Sequence, residues 1–336
     1  MSYNHQTFAA NQVTYFSMAV VVALICFLAE SLYAIDHSHL TVSHYNYSHQ
    51  GEDISIRYGT FVGSDDYYYG KDDDDHILLF MLGRGEWLEK YIEVYDLLYQ
   101  KLGRAVVIFD YQGQGGSSGV RGHIGSYDQY VAAYLSFLAD HYPNKSYSIV
   151  GHSMGGMIAL YGTLTGQLTP DKIVLSSPLL KLRKKPVPRF VAKPLSRLAT
   201  GIGLGKIRAN VKSEIDYPFE ENRLTGDREK YYRFRSTPYP IPPPSMAWVR
   251  ATFQASHEIF QEDNMRRNLV PTLIFLGGQE YIVSPEGILE WVTRANQLAY
   301  QSVDLVYFPT AKHEIFFERS EITDHALFET ANFLSH

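Results

Sequence analysis

The chain has 336 residues and a formal net charge of −6, with an ordinary apolar share, so it can bury a full core as one large α/β domain with an insertion or as two modest domains. The acidic balance argues against a general nucleic-acid binder, which is usually basic overall. The single cysteine, Cys26, excludes an intrachain disulfide and a cysteine-based metal site.

Taken in chain order, residues Tyr15 to Ala29 are apolar except for Ser17. This run is shorter than the roughly 20 residues that span a bilayer, and extending it to Ala34 takes in Glu30. It reads as a signal-peptide core with a small-residue cleavage site at Leu32-Tyr33-Ala34, as a short membrane anchor, or as a buried or partner-covered helix. No Lys or Arg precedes it. Residues 1–34 are therefore set apart as a signal peptide or anchor, and the protein is expected to be exported or membrane-associated, in a bacterial cell envelope.

From Ile54 to Tyr58 apolar and polar residues alternate, as in a half-buried strand. Ser64 to Asp75 reads as a loop in which the run Asp72 to Asp75 forms a solvated tip. Short apolar runs then alternate with amphipathic stretches. Strands are expected at 77–82, 105–109, 147–150, 172–175, 272–276 and 303–308. The intervening helices are expected through Tyr91 and Tyr95, and at 127–138, 155–165, 285–298 and 322–333. Continuous apolar strands each followed by a helix predict a mostly parallel central sheet with helices on both faces. The rhythm breaks between 178 and 268, a stretch rich in Pro, Arg, Lys and Tyr that reads as an inserted cap on a core of 50–177 and 269–336.

The strongest motif is Gly151-His152-Ser153-Met154-Gly155-Gly156, between a strand and a helix. A serine on so sharp a turn is strained, and side chains two before or two after it would collide; Gly151 and Gly155 remove them. Ser153 is therefore the candidate nucleophile. A hydroxyl needs an adjacent base, and that base a carboxylate. Of 13 histidines His313 fits best, a short loop beyond the strand 303–308 at the carboxyl edge of the sheet. Glu280 follows the strand 272–276 and is the preferred acid over Glu286, in a helix start, and Asp304, within a strand. The N–H groups of Met154 and of Arg84, in Leu82-Gly83-Arg84-Gly85-Glu86, are candidate oxyanion donors.

Together these motifs, with Phe109-Asp110-Tyr111-Gln112-Gly113-Gln114-Gly115-Gly116-Ser117 and His313-Glu314, resemble the bacterial lysophospholipase and monoacylglycerol lipase family from about residue 50 onward. The resemblance implies an α/β-hydrolase fold, Ser153 as nucleophile, His313 as base, and Arg84 and Met154 as N–H donors. The Ala247-Trp248-Val249-Arg250 stretch is similar to the lysophospholipase branch. Leu82-Gly83 stands where monoacylglycerol lipases usually have His-Gly, which leans toward a lysophospholipid, and Glu280 stands where the acid is usually Asp. The expectation is a serine ester hydrolase on a single-chain lipid, needing no metal or cofactor. Monoacylglycerol lipase or broad esterase activity is the alternative, and a non-catalytic small-molecule binder on the same fold is the other class. Between Lys181 and Lys212 there are ten Lys or Arg and no Asp or Glu. That run, including Arg183, Lys184 and Lys185, is expected to contact an anionic membrane surface, with Val187, Phe190, Val191, Leu195 and Leu198 inserting.

Overall fold

In the computed structural model, which describes residues 39–63, 75–183, 188–209, 211–298 and 303–335, the apolar runs form the interior of one eight-stranded sheet. The 15–34 run, most of the acidic loop, and Lys184, Lys185 and Val187 lie outside the described residues. The strands are β1 (Leu40–His49), β2 (Glu52–Phe61), β3 (His76–Met81), β4 (Val106–Phe109), β5 (Ser146–His152), β6 (Ile173–Ser176), β7 (Thr272–Gly277) and β8 (Val303–Phe308), in spatial order β1-β2-β4-β3-β5-β6-β7-β8. From β4 to β8 neighbours run parallel, while β1–β2 and β2–β4 are antiparallel. Strands β4, β6 and β7 are buried along their whole length, as their unbroken apolar sequences require of a sheet covered on both faces.

Helices α1 (Ile92–Leu102), α2 (Tyr127–His141), α3 (Met154–Leu164), α8 (Pro285–Leu298) and α9 (Ser320–Ser335) follow successive strands. Two details differ from the sequence reading. Strand β1 was not anticipated: it is an edge strand with only Leu40 and Tyr45 buried, so its alternation is faint. The first turn before α1, Leu88–Tyr91, is 3-10 rather than α. Among the described residues no helix is long and apolar enough to cross a membrane.

Between β6 and β7 the chain leaves the sheet and forms α4 (Arg189–Gly201), α5 (Arg228–Arg235), α6 (Met246–Ile259) and α7 (Glu262–Asn268). Helix α4 reverses the usual amphipathic arrangement. At 3.6 residues per turn Arg189, Lys193, Ser196 and Thr200 share one face, and Ser196 is fully buried. The opposite side carries Val191, Leu195, Leu198 and Ile202, and with Phe190 at its flank these are 42–81% exposed. The turn that follows adds exposed Leu204 and Ile207.

Candidate active site

Strand β5 runs into helix α3 through Ser153, whose φ of 51° and ψ of −110° no side chain adopts without strain. The strain is held on both sides: the Ser153 N–H donates to Ser176 O at 2.9 Å, and its carbonyl accepts from Leu179 N at 2.9 Å. A Cβ on Gly155 would collide with the carbonyl oxygen of Met81, so only glycine lets α3 start against the end of β3. That contact sets the Met154 peptide beside the loop that leaves β3.

Ser153 and His313 meet across 160 positions of chain: His313 Nε2 lies 3.0 Å from Ser153 Oγ. Its Nδ1 lies 2.7 Å from Glu280 Oε2, and the other oxygen of Glu280 accepts the N–H groups of Ile282 at 2.6 Å and Val283 at 3.0 Å. The structure thus brings together the three side chains picked from the sequence. Backbone contact makes this meeting possible. Gly278 N donates to Phe308 O at 2.8 Å and Gln279 N to Ala311 O at 2.9 Å, and a Cβ on Gly278 would run into Pro309 O. The rival carboxylates are elsewhere: Glu286 receives the Ser284 hydroxyl at 2.7 Å at the start of α8, and Asp304 is exposed on β8.

The electrostatics suit proton transfer. Burial alone would lower the pKa of His313, but the charge and hydrogen bond of Glu280, with Glu314 and Glu86 behind, outweigh it and hold the imidazole above its ordinary 6.5. Burial would raise Glu280; the His313 charge and bond and the two backbone donors reverse this and leave it below the usual carboxylate range.

The loop after β3 is pinned at each glycine beside Arg84. Gly83 N donates to the Glu86 carboxylate and Gly85 N to Gln114 Oε1 at 2.5 Å. Between them the Arg84 N–H has no acceptor among the described residues, and neither does that of Met154 in the first turn of α3. N–H groups left without an acceptor are what binding of a developing oxyanion requires. The Arg84 side chain turns away, donating to Pro242 O at 2.8 Å with its guanidinium 5.9 Å from the Trp248 ring.

Sequence reasoning did not find the group behind this loop. Lys90 Nζ sits 2.5 Å from Glu86 Oε1 and 2.7 Å from Glu314 Oε2, and the Tyr91 hydroxyl lies 2.8 Å and 2.6 Å from the same two oxygens. His152 Nε2 faces both carboxylates at 3.6 Å and 3.5 Å, its ring 4.8 Å from that of His313. Glu86, His152 and Glu314 have a spacing that would suit a metal ion, but the Lys90 ammonium already supplies the cation between the carboxylates. All of these side chains are buried, so the group ties the Gly83 peptide to the residue after His313. The one available signal was the i, i+4 spacing of Glu86 and Lys90, with Trp87, Leu88 and a second carboxylate, Glu89, between them. Gln114 had been legible only as part of a motif, without a role.

The cap cations are partly engaged. Arg183 donates to Tyr281 O, Lys181 pairs with Glu290 at 2.6 Å, and Arg208 donates to Arg121 O and Pro243 O at 2.9 Å and 3.1 Å.

Comparison with known proteins gives one family match: the model described as serine aminopeptidase, S33, fits residues 72–320. The chain is 28% identical over 273 residues to the probable lysophospholipase L2 of Haemophilus influenzae, covering 77% of this chain and 83% of that protein. It is 24% identical over 255 residues to phospholipase YtpA of Bacillus subtilis, covering 72% and 89%. A solved structure of a soluble variant of the Saccharomyces cerevisiae monoglyceride lipase superimposes with a TM-score of 0.69 at 17% identity, over 90% of this chain and 99% of that one, a likeness of fold.

Proposed function

The chain belongs to the serine aminopeptidase S33 family of hydrolases, and from that premise we propose that it cleaves the acyl ester of a lysophospholipid through a serine-bound acyl intermediate. Ser153 Oγ attacks the ester carbonyl while His313 Nε2 takes its proton. Glu280 holds the imidazole by Nδ1–H and stabilises its cation. The Arg84 and Met154 N–H groups bind the oxyanion. The intermediate collapses by breaking the bond to the glycerol oxygen, which takes the proton back from His313. Water then attacks the acyl-serine, its proton passing to His313, and the second tetrahedral intermediate collapses by breaking the bond to Ser153 Oγ, which takes that proton back as the fatty acid leaves.

The hydrogen-bonded chain from Ser153 through His313 to Glu280 supports the hydrolytic chemistry. The observation that carries the lipid substrate is helix α4, which exposes Phe190, Val191, Leu195, Leu198 and Ile202 beside exposed Arg197 and Lys206. A soluble helix faces its apolar stripe inward, and one that shows it to solvent with cations alongside suits the surface of an anionic lipid layer. The apolar sequence of residues 15–34 fits the same placement in a cell envelope.

The test compares hydrolysis of lysophosphatidylcholine, monoolein and a short p-nitrophenyl ester side by side, with labelling by a fluorophosphonate probe. The proposal expects labelling at Ser153 and preference for the lysophospholipid. Preference for monoolein would reassign the substrate, and absence of labelling would leave a binding protein instead. Phe190→Ser with Leu198→Ser should weaken binding to anionic vesicles without slowing hydrolysis of the short ester.

A further inference from the structure

Behind α4, on its inward polar side, lies a cleft of about 310 Å³ between α4, α6 and α8. Ser153, Glu280 and His313 do not line it. Its charge is lopsided: Lys181, Arg189, Lys193 and Arg294 face it with one carboxylate, Glu290. Glu290 is taken by Lys181, whose ammonium also rests 4.2 Å from the Phe260 ring. Arg189, Lys193 and Arg294 have no ion-pair partner among the described residues.

Arg189 is the informative member. Its Nε donates to Leu182 O at 2.5 Å, while its Nη2 is buried and has no hydrogen-bond partner among the described residues. Leaving a buried donor of a charged group unmatched is costly, and the guanidinium fork is shaped for an oxyanion with two oxygens to offer. Burial pulls the pKa of Arg189 down, opposed by the charges of Glu286 and Glu290. Leu182, Phe253 and Phe260 give the cleft an apolar wall beside these cations.

We infer that this cleft is a second binding site, for the phosphate group of a single-chain amphiphile whose hydrocarbon lies along Leu182, Phe253 and Phe260. A phosphate monoester suits three unmatched cations better than a carboxylate does, because it carries nearly twice the charge and three oxygens. The position, directly behind the exposed apolar face of α4, lets a headgroup reach it from a lipid layer on which that helix rests.

The experiment measures binding to the full chain by equilibrium dialysis below the micelle concentration. The probes are dodecyl phosphate, dodecylphosphocholine, dodecyl maltoside and inorganic phosphate. Dodecyl phosphate is expected to bind at least tenfold more tightly than each of the others. Arg189→Gln combined with Arg294→Gln should weaken it by roughly tenfold or more, the loss expected when a charge-assisted contact is removed. Arg294→Gln alone keeps the test available if the double variant folds poorly. Hydrolysis of a short soluble ester, unchanged in these variants, reports an intact fold and separates this site from the one at Ser153. Equal affinity for dodecyl phosphate in wild type and variants overturns the site. Equal binding of dodecyl maltoside overturns the role of charge, and inorganic phosphate binding as tightly as dodecyl phosphate overturns the lipid source.

Discussion

Replacing Lys90 with Met probes the buried group that joins the oxyanion loop to the histidine loop. Among the described residues the ammonium is the one Lys or Arg cation between Glu86 and Glu314, at 2.5 Å and 2.7 Å, and its side chain is 0% exposed, so no solvent replaces it. Methionine fills similar space and leaves two buried carboxylates facing one Tyr91 hydroxyl and a histidine whose own protonation is disfavoured, chiefly by burial. Removing one partner of a buried ion pair typically costs about 3–5 kcal/mol. For a unit of this size that corresponds to a fall in Tm of roughly 5–8 °C. The loss has a pH signature. In the wild type burial would raise Glu314, but the charges of Lys90, His152 and His313 outweigh it and hold it well below its ordinary 4.5. Its contribution is therefore present above pH 4.5 and disappears only as pH falls through the much lower folded value. Without Lys90 the folded pKa rises above 4.5, so the penalty grows as pH climbs and shrinks as pH falls toward 4.5. Calorimetric melts of both proteins at pH 7.5 and pH 5 should show a wide gap at the first and a narrower one at the second. A variant melting within about 2 °C of wild type at pH 7.5, or a gap independent of pH, would refute this account of the group.

Ser153→Ala should reduce ester hydrolysis by about 10⁶-fold, as in a serine protease stripped of its nucleophile; more than about 1% residual activity excludes Ser153. Glu280→Gln should lower kcat by about 10⁴-fold, since the amide cannot stabilise the imidazolium. Glu280→Asp should be milder, and Glu286→Gln and Asp304→Asn should stay near wild type; a dead Glu286 or Asp304 variant beside an active Glu280→Gln reassigns the acid. His313 must be neutral to accept the serine proton, and its pKa lies above 6.5. The acid limb of kcat/KM should therefore fall away as pH drops through a midpoint above 6.5, and a midpoint below 6 contradicts the raised value.

Much of the site was readable because its parts are local. The elbow is one turn, and the glycines it demands are spaced by that turn, so Gly151-His152-Ser153-Met154-Gly155 reads in isolation. Glu280 and His313 were reachable because each follows directly on a strand with an unmistakable apolar run, 272–277 and 303–308, and parallel strands deliver their following loops to one edge. Strand β1 escaped because an edge strand buries few residues and leaves a weak pattern. The Lys90 group escaped for another reason: Glu314 is 224 positions from Lys90, and no local pattern announces which distant carboxylate a buried lysine will meet.

The sequence by itself determined the alternation of strands and helices from β2 onward outside the 178–268 stretch, the break in that rhythm, and the three side chains that the fold brings within hydrogen-bonding distance. These follow from periods of two and 3.6 residues and from steric demands acting within a few positions. Only the tertiary structure decided how helix α4 is turned. Its residues divide into a polar face with Arg189, Lys193, Ser196 and Thr200 and an apolar face with Val191, Leu195, Leu198 and Ile202. Periodicity shows that two faces exist but not which one meets the protein. That depends on what the rest of the chain offers, and here α6 and α8 present polar groups, Thr252, Ser256, Glu290 and Arg294, across a cleft from the polar face, leaving the apolar face in the open.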